Sequence, residues 1–309
     1  MPKTSPVLQS YRVLLENKDK TLTIKNHKNG NQYIYVEKNI WVRNFTLPYA
    51  RPIDINKLYK DDEIKFFIEN DNKNIGSNIP KFEPRDLSQK NVIIVSDGFG
   101  FSNIENILEK ININKKFIIL TNNSLKKWNN TKVLPDLFVE NNPFQECLNN
   151  ISNKFYPNCL LSTRVYNKFI DYYKYKNINF YNPTPLENYN PSVKNDDSKH
   201  LDDYRNPICA AINYCYYCNA KNIFLLYCSE AFEKERPSTI LHNNELHYQY
   251  QQNKLSESII DSMIFWLKKK NNNLNIFHHG LEKTFNFATY INKESLIEYL
   301  KLWVKIIFQ

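Results

Sequence analysis

The stretch from Asn91 to Ser102 constrains this chain more than any other. A β-branched run, Val92, Ile93, Ile94 and Val95, leads into Ser96, Asp97, Gly98 and Gly100, and then into a helix-like segment over 102–110. Two of the chain's five glycines fall within those few positions. A chain this sparing with glycine keeps it where only glycine fits, at positive φ or where backbone comes very close to another group. Strand, tight turn and helix N-terminus in that order suit an anionic ligand, because free N–H groups and the helix dipole point into the turn.

From that point on, strand-like and helix-like segments alternate. The strand pattern fits 91–96, 116–121, 137–140, 159–162, 177–181, 222–228 and 273–278. Helical spacing fits 102–110, 124–128, 143–154, 164–175, 207–219 and 256–270. Such alternation predicts an α/β fold, a Rossmann-like, mainly parallel sheet with helices on both faces. The apolar run Ile223, Phe224, Leu225, Leu226, Tyr227 is what a strand covered on both faces requires. Folds of this kind bind ligands beyond the carboxyl ends of their strands. Residues 89–309 are expected to form this domain.

Residues 1–88 read differently, as a small β-rich domain or extension. Alternating residues at 20–25 and 32–37 flank Asn29, Gly30 and Asn31, a hairpin signal. Further strands are expected over 39–45 and 63–69, and the polar, Gly- and Pro-containing segment 70–84 reads as a linker.

Composition narrows the functional classes. No apolar run reaches the length of a membrane span, and Met1 to Pro6 lacks a signal-peptide core, so no transmembrane segment and a cytoplasmic location are expected. The net charge of +9 favours anionic partners such as nucleotides. Apart from Lys268, Lys269 and Lys270 the lysines are scattered, so nucleic acid is not an expected partner. Of six cysteines, Cys215 and Cys218 form a CxxC, but they sit among small and aromatic residues in a helical segment and read as core. Self-association into a homo-oligomer stays open.

The candidate site residues follow the strands. Asp97, Gly98, Gly100 and Ser102 could cradle a diphosphate or sugar-phosphate, or form an ordinary turn capped by Ser102. Their spacing matches neither the dinucleotide fingerprint nor the P-loop. Asn122 could bind a nucleobase or ribose, or belong to a helix cap. Asn142 ends the third strand and precedes Pro143 in the first turn of a helix. Asp136 precedes that strand and reads as structural, and the lone carboxylate of Glu140 is a sparse basis for Mg²⁺. Two long connections, 182–205 with its aspartates and 229–254, have the character of lids or binding loops. The second carries Arg236, a candidate phosphate clamp, and His242 and His247, candidate acid–base groups. His278 and His279 follow the last strand at the same edge.

The run from Asn91 through Gly100 is similar to the opening strand and glycine turn of the MptE-like domain superfamily, which includes 6-hydroxymethylpterin diphosphokinases and motility accessory factors. Pro135 and Asp136 before Leu137, Phe138 and Val139 resemble its segment before the third strand. Asn206 to Ala211, with Ala220 to Leu226, resemble its helix and following strand. The layout is also similar to glycosyltransferase family 42, in which an Asn-Pro follows the third strand, as Asn142 and Pro143 do here. The resemblance covers about residues 90–291 and implies a transferase with a nucleotide or nucleotide-sugar donor and a small-molecule acceptor. The superfamily's acidic cluster after the third strand is replaced here by Glu140, Asn141 and Asn142. That favours metal-independent sugar transfer over Mg²⁺-dependent diphosphate transfer. The alternative is a non-catalytic module that keeps the fold and docks a partner.

Overall fold

The computed structural model describes the strands at 24–26, 32–37 and 40–43, and residues 61–302 apart from 99, 112, 153, 155–156, 173–176, 184–199, 205, 230–243 and 281–283. Strands β1 (Ile24–Asn26), β2 (Gln32–Glu37) and β3 (Ile40–Arg43) form an antiparallel sheet, with Ile24 opposite Ile34 and Ile34 opposite Val42. This is the hairpin expected around Gly30, extended by one strand.

The main sheet has eight strands, all parallel: β4 (Asn91–Val95), β5 (Lys116–Thr121), β6 (Leu137–Glu140), β7 (Asn158–Ser162), β8 (Ile178–Tyr181), β9 (Asn222–Leu226), β10 (Asn275–His279) and β11 (Thr289–Tyr290). Their order is β11-β10-β9-β4-β5-β6-β7-β8. The chain builds outward from β4 to β8, then returns to β9 on the other side of β4. The topological switch point therefore lies between β4 and β9, beside the glycine turn.

The sequence explains why these strands lie in the centre. In β4, Val92 and Ile94 enter one core, and Ile93 and Val95 the other. In β9, Ile223 and Leu225 go one way and Phe224 and Leu226 the other. Period-two alternation with both sets apolar demands cover on both faces. On one face, α5 (Pro207–Tyr217) and α6 (Asn244–Lys270) supply Ile208, Ile212, Ile260 and Ile264. On the other, α2 (Ile104–Leu108), α3 (Ser124–Lys127) and α7 (Lys293–Leu302) supply Ile107, Leu108, Leu125, Leu296 and Leu300. Helix α5 starts where Asn206 Oδ1 accepts from Ile208 N at 2.8 Å, with Pro207 in the first turn. All six cysteines are free and buried, and burial raises the Cys215 and Cys218 thiols, as core residues require.

The N-terminal edge of the sheet is locked by asparagines. Asn91, Asn222 and Asn275 each open a strand and stand side by side in register. Asn275 Nδ2 donates to Asn222 Oδ1, and Asn222 Nδ2 to Asn91 Oδ1, both at 3.1 Å.

Several elements differ from expectation. Residues 63–69 are not a strand: they belong to helix α1 (Asp61–Ile75), which also takes in the first part of the expected linker. After it, Phe82 N donates to Phe180 O and Phe180 N to Pro80 O, both at 2.9 Å, so residues 80–82 pair along β8. The helix expected over 143–154 is a 3-10 segment, Gln145–Asn150, and the one expected over 164–175 begins only at Phe169, in α4 (Phe169–Tyr172). Helix α6 begins twelve positions before the expected Ser256, and β11 and α7 were not expected.

Candidate functional site

The strand ends at the carboxyl edge carry a continuous set of polar groups. At the switch point the glycine turn is strapped to β9. Ser96 N donates to Leu226 O at 3.1 Å and Gly98 N to Tyr227 O at 2.9 Å. Tyr227 N in turn donates to His279 O at 3.0 Å, which ties in β10. A Cβ on Gly98 would stand 1.9 Å from Ser229 O and 2.5 Å from Tyr227 O. Gly100 holds φ +88°, and a Cβ there would meet the Tyr227 ring at 2.8 Å. Both glycines are needed, and the group they approach is the chain's own 227–229 segment. Tyr227 itself sits at φ +55°, a strained position for an aromatic residue, and its buried hydroxyl has no hydrogen-bond partner among the described residues.

The anion cradle expected of this turn is thus partly occupied, since the Gly98 N–H is already engaged. Ser102 is exposed within the 3-10 turn Phe101–Asn103 and caps no helix; the N-cap of α2 is Asn103, without a side-chain bond. Asp97 pairs with Lys127 of α3 at 3.1 Å.

After β5, Asn122 takes φ +54° and its Nδ2 donates to Ser96 Oγ at 3.0 Å, joining the loops after β4 and β5. It does not cap α3, whose N-cap is Asn123. Ser124 closes that turn instead, donating to Thr121 O and accepting from Thr121 N. Asn122 Oδ1 has no partner among the described residues.

After β6, Glu140 is fully buried. Its Oε1 accepts from Asn141 N and Asn142 N, both at 3.0 Å, and its Oε2 from Asn150 Nδ2 at 2.6 Å. Burial pushes this carboxyl above its ordinary range, against the pull of those three donors. Its oxygens hold the loop rather than face outward. Asn142 Oδ1 accepts from Phe144 N at 2.9 Å, closing an Asx turn over Pro143, and Tyr166 N donates to Asn142 O at 3.1 Å. Asn142 is half-buried, and its Nδ2 has no partner among the described residues. Asp136 is structural, as expected: its Oδ2 accepts from Ile118 N at 2.8 Å.

Of the remaining polar groups at this edge, Tyr181 and Glu257 escaped the sequence reading. Asp203 Oδ2 accepts from Asn141 Nδ2 at 3.1 Å and from the Tyr181 hydroxyl at 3.0 Å, closing a buried network across β6 and β8. Ser229 Oγ donates to Glu257 Oε1 of α6 at 2.5 Å, both residues being buried beside the switch point. His278 is buried between the Phe285 and Tyr290 rings, its Nε2 without a partner among the described residues, and desolvation pulls its pKa down to about 4. His279 Nδ1 lies 3.0 Å from Ile291 O, and burial lowers this ring as well. Arg236 and His242 lie outside the described residues. His247 lies on α6, in a stretch whose side chains are also outside them.

No protein-family model matches the chain, and no curated protein does. Among solved structures, the chain is similar to a MAf glycosyltransferase from Magnetospirillum magneticum AMB-1, with a TM-score of 0.56 and 10% identity over 76% of this chain. The match spans 38% of that protein's length. At this identity the likeness is one of fold, and it agrees with the Rossmann-like layout expected from the strand and helix pattern. Among the described residues no helix is long and apolar enough to cross a membrane.

Proposed function

We propose that the chain is a transferase that takes a nucleotide-linked donor at the carboxyl edge of its sheet and passes a sugar to a small acceptor. The observation that carries this reading is the leftover hydrogen-bonding capacity at that edge. Asn142 Nδ2 and Asn122 Oδ1 lack partners there among the described residues, while their other polar atoms are fixed by Phe144 N and Ser96 Oγ. Half-fixed carboxamides of this kind present one donor or acceptor in a set direction, which is how a ligand is oriented at low entropic cost. The fold likeness to a glycosyltransferase supports the same reading.

In this account the turn from Asp97 to Ser102, with Gly98 and Gly100 setting its path, borders the donor phosphates, with Lys127 as a neighbouring cation. Asn122 meets the nucleoside and Asn142 the sugar. Arg236 offsets phosphate charge, and His242 or His247 removes the acceptor's proton. The acceptor oxygen bonds to the anomeric carbon as the bond from that carbon to the phosphate oxygen breaks, and the nucleotide leaves with the electron pair. Diphosphate transfer would need Mg²⁺ on clustered carboxylates. Glu140 is a poor ligand for it, because its two oxygens already accept three hydrogen bonds.

The test is thermal melting with a panel of nucleotides and CMP-, UDP- and GDP-linked sugars. A ligand of the native state must raise the melting temperature. A rise with a nucleotide-sugar that persists in EDTA supports sugar transfer, and one that needs Mg²⁺ supports diphosphate transfer. No rise at millimolar ligand would leave the non-catalytic docking module as the better account.

A further inference from the structure

We infer that Asn70 of helix α1 is a positioning residue for Asn142, so that the helix preceding the sheet is a working part of the donor site; this rests on the transferase reading above. Asn70 Nδ2 donates to Pro143 O at 2.9 Å, the carbonyl next to Asn142, and lies 3.4 Å from Arg164 O. Its Oδ1 accepts from Asn167 N at 3.3 Å. One carboxamide therefore joins the loop after β6 to the loop after β7. One turn later, Asn74 Nδ2 donates to Thr163 O and Val165 O, both at 2.8 Å. Phe144 is gripped from the same helix by the Phe66 and Phe67 rings, at 6.2 and 6.3 Å.

The loop carrying Asn142 is thus held from two sides. Glu140 fixes its amides from below, and α1 fixes the Pro143 carbonyl and the Phe144 ring. Asn142 Oδ1 is in turn fixed by Phe144 N, which leaves Nδ2 as the atom whose direction the whole assembly sets. Loosening Asn70 releases the Pro143 and Phe144 end of the Asx turn and lets Nδ2 swing. Asn74 reaches only the loop after β7, and so provides an internal control on the same helix face.

A double-mutant cycle on donor affinity tests this, using whichever nucleotide-sugar gives the largest melting shift. Asn142→Ala is expected to weaken binding about tenfold, the effect of one lost hydrogen bond to a ligand. Asn70→Ala is expected to weaken it about fivefold, and to weaken it no further when Asn142 is already alanine, the signature of acting through that residue. Asn74→Ala, which strips two carbonyls of their donor, is expected to lower the melting temperature at least as much while leaving donor affinity within about twofold. Additive losses from Asn70→Ala and Asn142→Ala would overturn the inference, as would equal losses of affinity from Asn70→Ala and Asn74→Ala. If the wild-type chain binds no nucleotide-sugar, the transferase reading fails and this inference fails with it. Additive losses in a protein that binds overturn the positioning role alone.

Discussion

The two edges of the same sheet use asparagine to opposite ends. At the amino edge, Asn91, Asn222 and Asn275 sit in register on three adjacent strands, Asn275 donating to Asn222 and Asn222 to Asn91. The relay runs from carboxamide to carboxamide across the strands and fixes their register. Lys116 stands next in line on β5, and burial lowers its ammonium to about 8. At the carboxyl edge, Asn70, Asn74 and Asn122 reach across to other loops, to backbone carbonyls and a serine, while Asn142 and Asn150 close their own loop on a backbone amide and a carboxylate. That pattern stays open at Asn142 Nδ2 and Asn122 Oδ1. The difference teaches where to look for a ligand. Carboxamides matched to one another across strands are structure, whereas one fixed on a loop with its other atom open at the ligand edge is a candidate recognition group.

The comparison breaks most violently at Gly98. A methyl group there would run into backbone oxygens of Ser229 and Tyr227, which lack the freedom of a side-chain tip. Gly98→Ala is expected to lower unfolding free energy by about 3 kcal/mol, at the upper end for overpacked sites. Urea denaturation checks this, and a loss under about 1 kcal/mol would mean that the 227–229 segment yields easily.

Next in size is an acid effect at the carboxyl edge. His278 stays neutral in the folded chain down to about pH 4, whereas a histidine in the unfolded chain titrates near 6.5. Between those values the unfolded chain binds more protons. Its contribution to stability is therefore complete above 6.5 and is lost as pH falls toward 4, by roughly 3 kcal/mol for a shift of this size. His278→Phe suits the slot between Phe285 and Tyr290, where Nε2 has no hydrogen-bond partner among the described residues. It should flatten the curve of stability against pH in that window. His279 is unchanged in both proteins, so the difference between the two curves belongs to His278. Parallel curves would refute the assignment.

The closed edge predicts a smaller, purely structural loss. Asn222→Ala leaves Asn91 Oδ1 and Asn275 Nδ2 without their partner, at a cost of about 2 kcal/mol. Nucleotide-sugar binding should not change. If it weakens severalfold, the two edges are coupled and the contrast between them fails.

How far the sequence reveals these edges depends on the kind of signal each residue leaves. The strands β4, β5 and β9 are legible because they are apolar on both faces, a local pattern. Asn122 and Asn142 are legible as candidates because each directly follows a strand. Helix α1 is hard to read for a physical reason. The face it buries carries Asn70, Asp71 and Asn74 beside Phe67, so a search for an apolar stripe passes over it. Asn70 and Asn74 are buried because they donate to backbone carbonyls that no strand partner reaches, and Asp71 stands 4.0 Å from Arg164 Nε. The asparagine ladder leaves a trace, an asparagine opening each of three strands, but the trace has meaning only once their register is known. The contact between Gly98 and Ser229 leaves none, because the partner is 131 positions away.

The smallest expected effect on stability is the most informative about the open edge. Lys127 and Asp97 meet at 3.1 Å with side chains 50% and 19% exposed, so solvent screens the pair. Lys127→Ala should change unfolding free energy by less than about 1 kcal/mol. The same lysine lies over the Phe101 ring at 5.9 Å, beside the turn that the proposal gives to the donor phosphates. Removing it leaves the Asp97 carboxylate unopposed at that turn. Nucleotide-sugar affinity should then fall severalfold at low salt, and the gap from wild type should narrow as ionic strength rises. A large loss of stability would place Lys127 with the closed, structural asparagines. Loss of affinity with stability intact places it with Asn142, among groups left open by the described residues.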